Sequence, residues 1–521
     1  MRSIRSTFRS IPRLAAVFAV AALTLGATAS VASAKQEVMI AGHNTPPATY
    51  PSYVHYFSTS QGHPKPIQEA VNAATHPRDF VLIEPGTYEE EVKVRPVNKG
   101  IFIRGMNRNT VLLEGKNIHT PGGANGIEVQ KTNDVWIENL TVANFEREEL
   151  NGGGGNEIWW NGSSEVEKVG AHGWFGNYLT AYDTGLNGGY GIFTSHESKG
   201  EWNNIYASGF NDSGIYLGAC PECEAVIDHA TMEYNALGYS GSNSGGQLII
   251  ENSKFDHNTT GIAPNTEYPG DGPPPQDGAC KEAEPGVKRR APLHLGEPIE
   301  GHTFWTGKLP VFKTTDIKHC TIIEDNQIND NSDLDLPANN SAAAAPWGAG
   351  VELPGNYGDE VLDNEIKGNP SDGVLAFEYP NPFEPNEKLE FAPWTVLAQN
   401  AGNRVEGNVF EDNGYLAGKP TEYLGDVAFE GGLFGAGEST NDCVSDNTMP
   451  DGTFPADIEG TWGCQNTTTP NPRGGVPFIY YLLELQEEST HRPYYETVPP
   501  PPAQETMPNP CENVPANPLC T

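Results

Sequence analysis

The sequence predicts an all-β solenoid, in which short parallel strands wind into stacked coils. Three observations point to it. A glycine recurs at a near-constant interval, at Gly191, Gly214, Gly238 and Gly261, and the same interval returns from Gly350 to Gly373. An apolar or aromatic residue follows each of the first four: Ile192, Ile215, Tyr239 and Ile262. An asparagine stands three residues before the last three of those four, at Asn211, Asn235 and Asn258. A fixed period of about 20–50 residues means stacked structural repeats. Leucine-rich repeats share this period but need a leucine ladder, and none is present. Asparagine suits a coil, because it tolerates a left-handed turn and its amide can bond the equivalent residue above and below.

The chain opens with an export signal. Arg2, Arg5, Arg9 and Arg13 form a positive region, Leu14 to Leu25 is apolar but too short to span a bilayer, and Ala32-Ser33-Ala34 is a small-residue cleavage site. Residues 1–34 are therefore expected to be removed, residues 35–65 to form an N-terminal extension, and the protein to act secreted or at the cell surface. Without that segment 27 basic residues face 68 acidic ones, a formal charge of −41. Such a surface repels nucleic acid and anionic polymers at long range. No later stretch is apolar enough for a membrane span, and a monomer is expected.

Ile67, Ala70, Val71 and Ala74 lie on one face of a short helix over residues 66–75, which Pro66 can open and Pro77 follows. From there the period switches to two. Phe80–Ile83, Val92–Val94, Ile101–Ile103, Val111–Leu113, Ile127–Val129 and Val135–Ile137 are short strands. Turns such as Pro85-Gly86 and Gly122-Gly123 separate them. Stacking would place equivalent strands about 4.8 Å apart.

Several segments here resemble a known family. Ile67-Gln68-Glu69-Ala70-Val71, Glu84-Pro85-Gly86-Thr87-Tyr88, Lys99 to Gly105 and Val135 to Leu140 resemble the opening of right-handed parallel β-helix proteins of the pectate-lyase-like superfamily. Residues 187–265 are similar to secreted bacterial NosD-type β-helix proteins. The resemblance implies a right-handed parallel β-helix over residues 66–466, with the helix as an N-terminal cap. It implies little about activity, because this fold hosts many chemistries. Two excursions interrupt it, at about 264–318 and 378–394, and a Pro-rich appendage fills 467–521 with one apolar patch at Phe478 to Leu483.

Eight cysteines in an exported chain read as disulfides: Cys220, Cys223, Cys280, Cys320, Cys443, Cys464, Cys511 and Cys520. Cys220/Cys223 could be a local disulfide, half a metal site or a redox pair. Cys443/Cys464 and Cys511/Cys520 are plausible local pairs, which leaves Cys280 with Cys320. No metal site is expected from the cysteines and histidines, since soft-metal sites want clusters that are not present.

Two constellations could carry chemistry. Aligned on the glycine interval, Met232 and Phe255 share an inward column. Thr231/Lys254 and Glu233/Asp256 then face outward, with Tyr234 and His257 at the turn. Glu233, Asp256, His257 and Lys254 are the candidate catalytic residues. Paired carboxylates one coil apart suit glycosidase chemistry or a Ca²⁺ site, and such a pair should keep a shared proton or a cation between them. A solvated acidic face would look the same. Upstream, Trp159, Trp160, Trp174, Tyr182, Trp202 and Tyr206 are candidate substrate-binding aromatics, with His172, Asp183, His196 and Glu197 among them. Flat rings beside polar groups can line a sugar groove, or can simply pack the core.

Catalytic motifs of the resembling families are absent, including those of polygalacturonases, pectin methylesterases and uronate epimerases. No Arg lies between residues 148 and 288. That makes hydrolysis a better expectation than elimination, which wants a basic residue. The function expected is binding or processing of a polysaccharide at the cell exterior, with a non-catalytic scaffold as the alternative. A metal-linked export role is the least supported.

Overall fold

The structure is a computed structural model that describes residues 36–148, 154–164, 168–246, 248–266, 320–332, 348–385, 394–398, 400, 402–415, 425–430, 442–464 and 498–520. The expected signal segment, nearly all of the 264–318 excursion with Cys280, and the patch Phe478 to Leu483 lie outside these residues. The chain is a right-handed parallel β-helix with three faces. The first sheet begins with Val54–Ser58 and Val38–Gly42 and continues through Phe80–Ile83 and Phe102–Gly105 to Cys443–Ser445. Val135–Ala143 and Trp174–Tyr182 run through the bend into the second sheet, which continues with Tyr206–Ser208, Thr231–Glu233 and Lys254–Asp256. The third sheet stacks eleven strands, from Val92–Val94 to Thr453–Phe454. The N-terminal extension is thus part of the helix and supplies its first two rungs.

Parallel pairing in register lets each coil satisfy its backbone on the next one. The antiparallel strand pair Tyr379–Pro385 with Trp394–Ala398 lies where the 378–394 interruption was expected. The helix α1 (Pro66–Ala73) buries Pro66, Ile67, Ala70 and Val71 against the first coils. Glu90, from the third turn beyond it, accepts from the Ile67 and Gln68 N–H groups, which a helix start otherwise leaves unpaired. At the other end α2 (Ile458–Trp462) buries Ile458 and Trp462 in the core.

The glycine interval has a spatial cause. Gly238 sits at the corner between the second and third sheets. A Cβ there would lie 2.5 Å from the Gly261 carbonyl oxygen and 3.0 Å from Asn258 Nδ2. Gly261 is likewise 2.5 Å from the Gly350 oxygen and 2.9 Å from Asn331 Nδ2. These glycines are selected for space, and the left-handed backbone falls elsewhere. Positive φ belongs to the residue before each corner asparagine: Tyr234 (57°), His257 (54°), Asp330 (52°) and Asp412 (56°). The corner asparagines do not take the left-handed conformation that their type tolerates, but their amides do bond the equivalent residue above and below. Nδ2 of Asn235 donates to Asn258 Oδ1 (3.0 Å), Asn258 to Asn331 (3.0 Å), Asn331 to Asn369 (3.1 Å), Asn369 to Asn413 (3.0 Å) and Asn413 to Asp426 (3.0 Å). Asn211 lies off this ladder and bonds the Leu186 carbonyl. A second ladder at the first-to-second corner runs Asn326, Asn364, Asn408, Asn447 and ends on Glu459 of α2.

Cys220–Cys223, Cys443–Cys464 and Cys511–Cys520 are disulfides. Cys320 is also disulfide-bonded; its expected partner is outside the described residues.

Residues 498–520 of the appendage dock along the outside of the N-terminal coils. The Val498 N–H bonds the Thr184 carbonyl, and the Val498 side chain packs on Leu186 and Tyr234. Gln504 exchanges hydrogen bonds with Asn109, and the Met507 N–H and Thr506 hydroxyl reach Asn139 Oδ1. Arg108 donates to the Glu505 carbonyl, and Arg104 to those of Pro510 and Glu512. Val514, Leu519 and Cys520 join an outward aromatic stack, Phe80, Phe102, Trp136 and Phe175, with centroids 4.5–4.7 Å apart.

Candidate functional site

Strand alternation builds the site on the outer face of the second sheet. Ala181, Ala207, Met232 and Phe255 point into the core. Their neighbours therefore point out, in two columns that the register aligns across four coils. One column is Thr180, Tyr206, Thr231 and Lys254; the other is Tyr182, Ser208, Glu233 and Asp256. Tyr182 and Tyr206, expected among the sugar-contacting aromatics, thereby share a face with the expected acids.

Hydrogen bonds and ion pairs join the group. The Tyr206 hydroxyl donates to Glu233 Oε2 (3.1 Å). Lys254 Nζ stands 2.7 Å from Asp256 Oδ2 and 3.8 Å from Glu233 Oε1. His257 Nδ1 is 3.2 Å from the same Asp256 oxygen, and its ring lies 5.5 Å from that of Tyr234. Histidine is one of the residue types that tolerate positive φ, which accounts for its place at the turn. Burial pulls the Lys254 ammonium down, but Asp256 and then Glu233 more than offset this and hold it above its ordinary value. Lys254 thus stands where a shared proton or cation was expected. Asp256 is buried, and its Oδ1 has no hydrogen-bond partner.

Four of the expected aromatics are not available to a ligand: Tyr206 is only 3% exposed on the outer face, and three tryptophans lie in the core. Trp160, Trp174 and Trp202 are 0 % exposed and pack together inside the helix, with Trp202 centroids 4.6 Å from Trp174 and 6.2 Å from Trp160. The same alternation that turns Ile158 inward turns Trp160 inward with it. Trp159 faces out from the third sheet, half-buried, stacked on Phe193 at 5.1 Å, with Tyr190 and Tyr216 against Phe193. Asp183 and Glu197 are buried. The Asp183 carboxylate accepts from the N–H groups of Gly185, Asn187 and Gly188, yet burial still pushes it up to about 6.

Two features had no clear signal in the sequence. One is the tail that crosses the second sheet between Val498 and Thr506. The other is a cleft of about 300 Å³ lined by Lys116, His119, Asn144, Glu146, Arg147 and Glu148 among others. Among the described residues no group of His, Cys, Asp and Glu is arranged to hold a metal ion, and no helix is long and apolar enough to cross a membrane.

No family model matches the sequence, and no curated protein matches it at a significant level. Solved structures do resemble it. The A-module of mannuronan C-5 epimerase AlgE4 from Azotobacter vinelandii superposes over 74% of this chain and 83% of its own, with 11% identity and a TM-score of 0.45. The pectate lyase Pel9A covers 80% and 78%, with 12% identity and a TM-score of 0.36. The DFA-IIIase of Arthrobacter chlorophenolicus A6 covers 75% and 82%, with 11% identity and a TM-score of 0.39.

Proposed function

We propose that this chain acts outside the cell as a polysaccharide-binding β-helix, holding an extended glycan along the outer face of its second sheet. The observation that supports it is the alignment of Lys254, Gln327, Glu365 and Val409 on one open face of four consecutive coils, with Glu233, Asp256 and His257 beside its first residue. Four coils span roughly 15 Å, room for about three sugar rings. Carboxylates, an ammonium and an imidazole offer acceptors and donors to sugar hydroxyls.

Binding is favoured over hydrolysis. A glycosidase pair needs one carboxyl to deliver a proton. Here the partner common to Glu233 and Asp256 is the Lys254 ammonium. The same ammonium does for the two acids what a bound Ca²⁺ would do, so chelator should leave binding intact.

The test is affinity electrophoresis of the mature chain through gels containing xylan, mixed-linkage β-glucan, galactomannan, pectin or alginate. At least one polymer should retard it. Lys254→Ala with Gln327→Ala should abolish the retardation while the circular dichroism spectrum stays native. Migration unaffected by every polymer would reject the reading, and polymer cleavage lost in Glu233→Gln would replace binding with hydrolysis.

A further inference from the structure

We infer that the C-terminal tail closes the N-terminal end of this face, so that the face receives the end of a glycan chain and not a stretch from its middle; this rests on the polysaccharide-binding reading above. Both feet of the tail are defined. At one, Val498 is wedged between Leu186 and Tyr234, on the turn from the second sheet to the third, and bonds the Thr184 carbonyl. At the other, Gln504 to Met507 are tied to Asn109, Arg108 and Asn139, on the turn from the first sheet to the second. The chain between these feet must cross the outside of the second sheet. It consists of Pro499 to Pro502 and Ala503. Proline rings fix φ near −65°, so consecutive prolines form a stiff extended bar with little freedom to sag aside.

Exposure along the face increases away from this crossing, near which Arg108, itself 2% exposed, bonds Thr141 and Thr180. In the column that runs under the bar, Thr141, Thr180 and Tyr206 are 8%, 3% and 3% exposed. Thr231 and Lys254 are half-buried, and Gln327, Glu365 and Val409, further along the same column, are exposed. The described face is therefore shut at the tail and open toward the C-terminal coils. A polymer lying along it from the open side reaches Lys254, Asp256 and Glu233 and meets the bar beyond Tyr206. Continuing past would require the chain to climb over the prolines. The foot at Val498 also bears on the site directly. It packs on Tyr234, whose ring neighbours His257. The tail is thus a specificity element, selecting chain ends, as well as a brace for the turn that presents His257.

The experiment uses the full mature chain and the polymer that retards it most strongly. That polymer is cut by partial acid hydrolysis into size fractions, and bound protein is measured at equal total sugar. If ends are recognised, capacity per unit mass rises in proportion to the number of chain ends. If capacity is the same for all fractions, the face takes internal stretches and the inference is overturned, while the binding reading stands. If no fraction binds, the binding reading itself has failed. Val498→Asp, which unseats one foot, and Asn109→Ala, which loosens the other, should open the face. A chain of about a hundred units offers one such end but tens of internal stretches, so capacity for intact polymer should rise at least about tenfold in Val498→Asp. Unchanged capacity in both variants, each with a native circular dichroism spectrum, would show that the tail is not the barrier.

Discussion

The corner between the second and third sheets is filled differently in the two halves of the helix. From Asn235 onward it holds a column of asparagines, each bonded to the next, and Gly214, Gly238, Gly261 and Gly350 make room for the first four. In the earlier coils the same corner holds Phe145, Glu157, Asp183 and Phe210, all buried. Glu157 stands at the register position that Gly191 occupies one coil later. Its Oε1 accepts from the Phe145 N–H, as Asn235 Oδ1 accepts from Phe210. A carboxyl there does part of the work of the amide, but it cannot extend a ladder without a proton. The outer faces differ in the same sense. The early coils carry the aromatic stack and two buried arginines under the tail, whereas the outer face of the second sheet opens to solvent in the later coils. Regular repetition stabilises one half; particular, non-repeating contacts stabilise the other, and the candidate site lies where they meet.

The contrast can be broken hardest in the early half. Arg104 is 1% exposed and bonds Glu138 (2.7 Å), which is fully buried and has one oxygen without a partner. Arg104→Ala leaves that carboxylate without its counter-charge and removes the donor to Pro510 and Glu512. The expected loss is about 3–5 kcal/mol by urea unfolding. The tail should also become accessible to limited proteolysis. A loss under 1 kcal/mol would mean that the tail does not depend on this pair.

In the later half the corresponding change is Asn331→Ala. Asn331 accepts from the backbone and side chain of Asn258 and donates to Asn369 Oδ1 and the Phe255 carbonyl. Cutting a central rung strands buried partners on both sides, at an expected cost of about 2–3 kcal/mol. The same substitution at Asn211, which lies off the ladder, should cost less, and equal costs would remove the ladder's special standing.

This division explains what the sequence made legible. The fold, the capping helix and the alignment of Glu233 with Asp256 follow from a period and from strand alternation, which are local rules repeated many times. Alternation was also available for the tryptophans, yet Trp160, Trp174 and Trp202 fall in coils without the glycine interval as a reference, and their inward direction was not evident. The docked tail was not legible, because nothing in a proline run states which surface it covers. The 35–65 segment was missed as part of the helix because its two strands pair with each other and with Phe80–Ile83 before the repeat begins.

A smaller effect separates the halves by pH. Burial is the main force raising the Glu157 carboxyl well above its usual range, and the negative charge of Asp183 adds to it. Burial likewise raises Asp183 to about 6. A carboxyl raised in the folded state holds its proton to higher pH than the unfolded chain does. Its stabilising contribution is complete below the unfolded value of about 4 and is lost as pH climbs through the folded value. Stability of the early half should therefore decline from about pH 4 to pH 6 and beyond. Glu157→Gln keeps an acceptor for the Phe145 N–H and removes the ionisation. It should raise the melting temperature at pH 8 while changing it little at pH 4, and flatten the profile between. An equal shift at both pH values would mean that packing, not charge, governs this corner.

The smallest change tests the junction of the two halves. Tyr206 belongs to the last covered coil, and its hydroxyl holds Glu233, the first acid of the open face. Tyr206→Phe keeps the buried ring but removes the hydroxyl that donates to Glu233 Oε2. Stability should fall by no more than about 1 kcal/mol, since a single hydrogen bond with a half-exposed acceptor is lost. If the hydroxyl orients Glu233 for ligand, affinity for the retarding polysaccharide should drop several-fold more than stability alone explains. If affinity is unchanged in Tyr206→Phe, the hydroxyl does not set the geometry of Glu233 for ligand. Glu233 would then belong to the regular, solvated face of the later coils and not to the site.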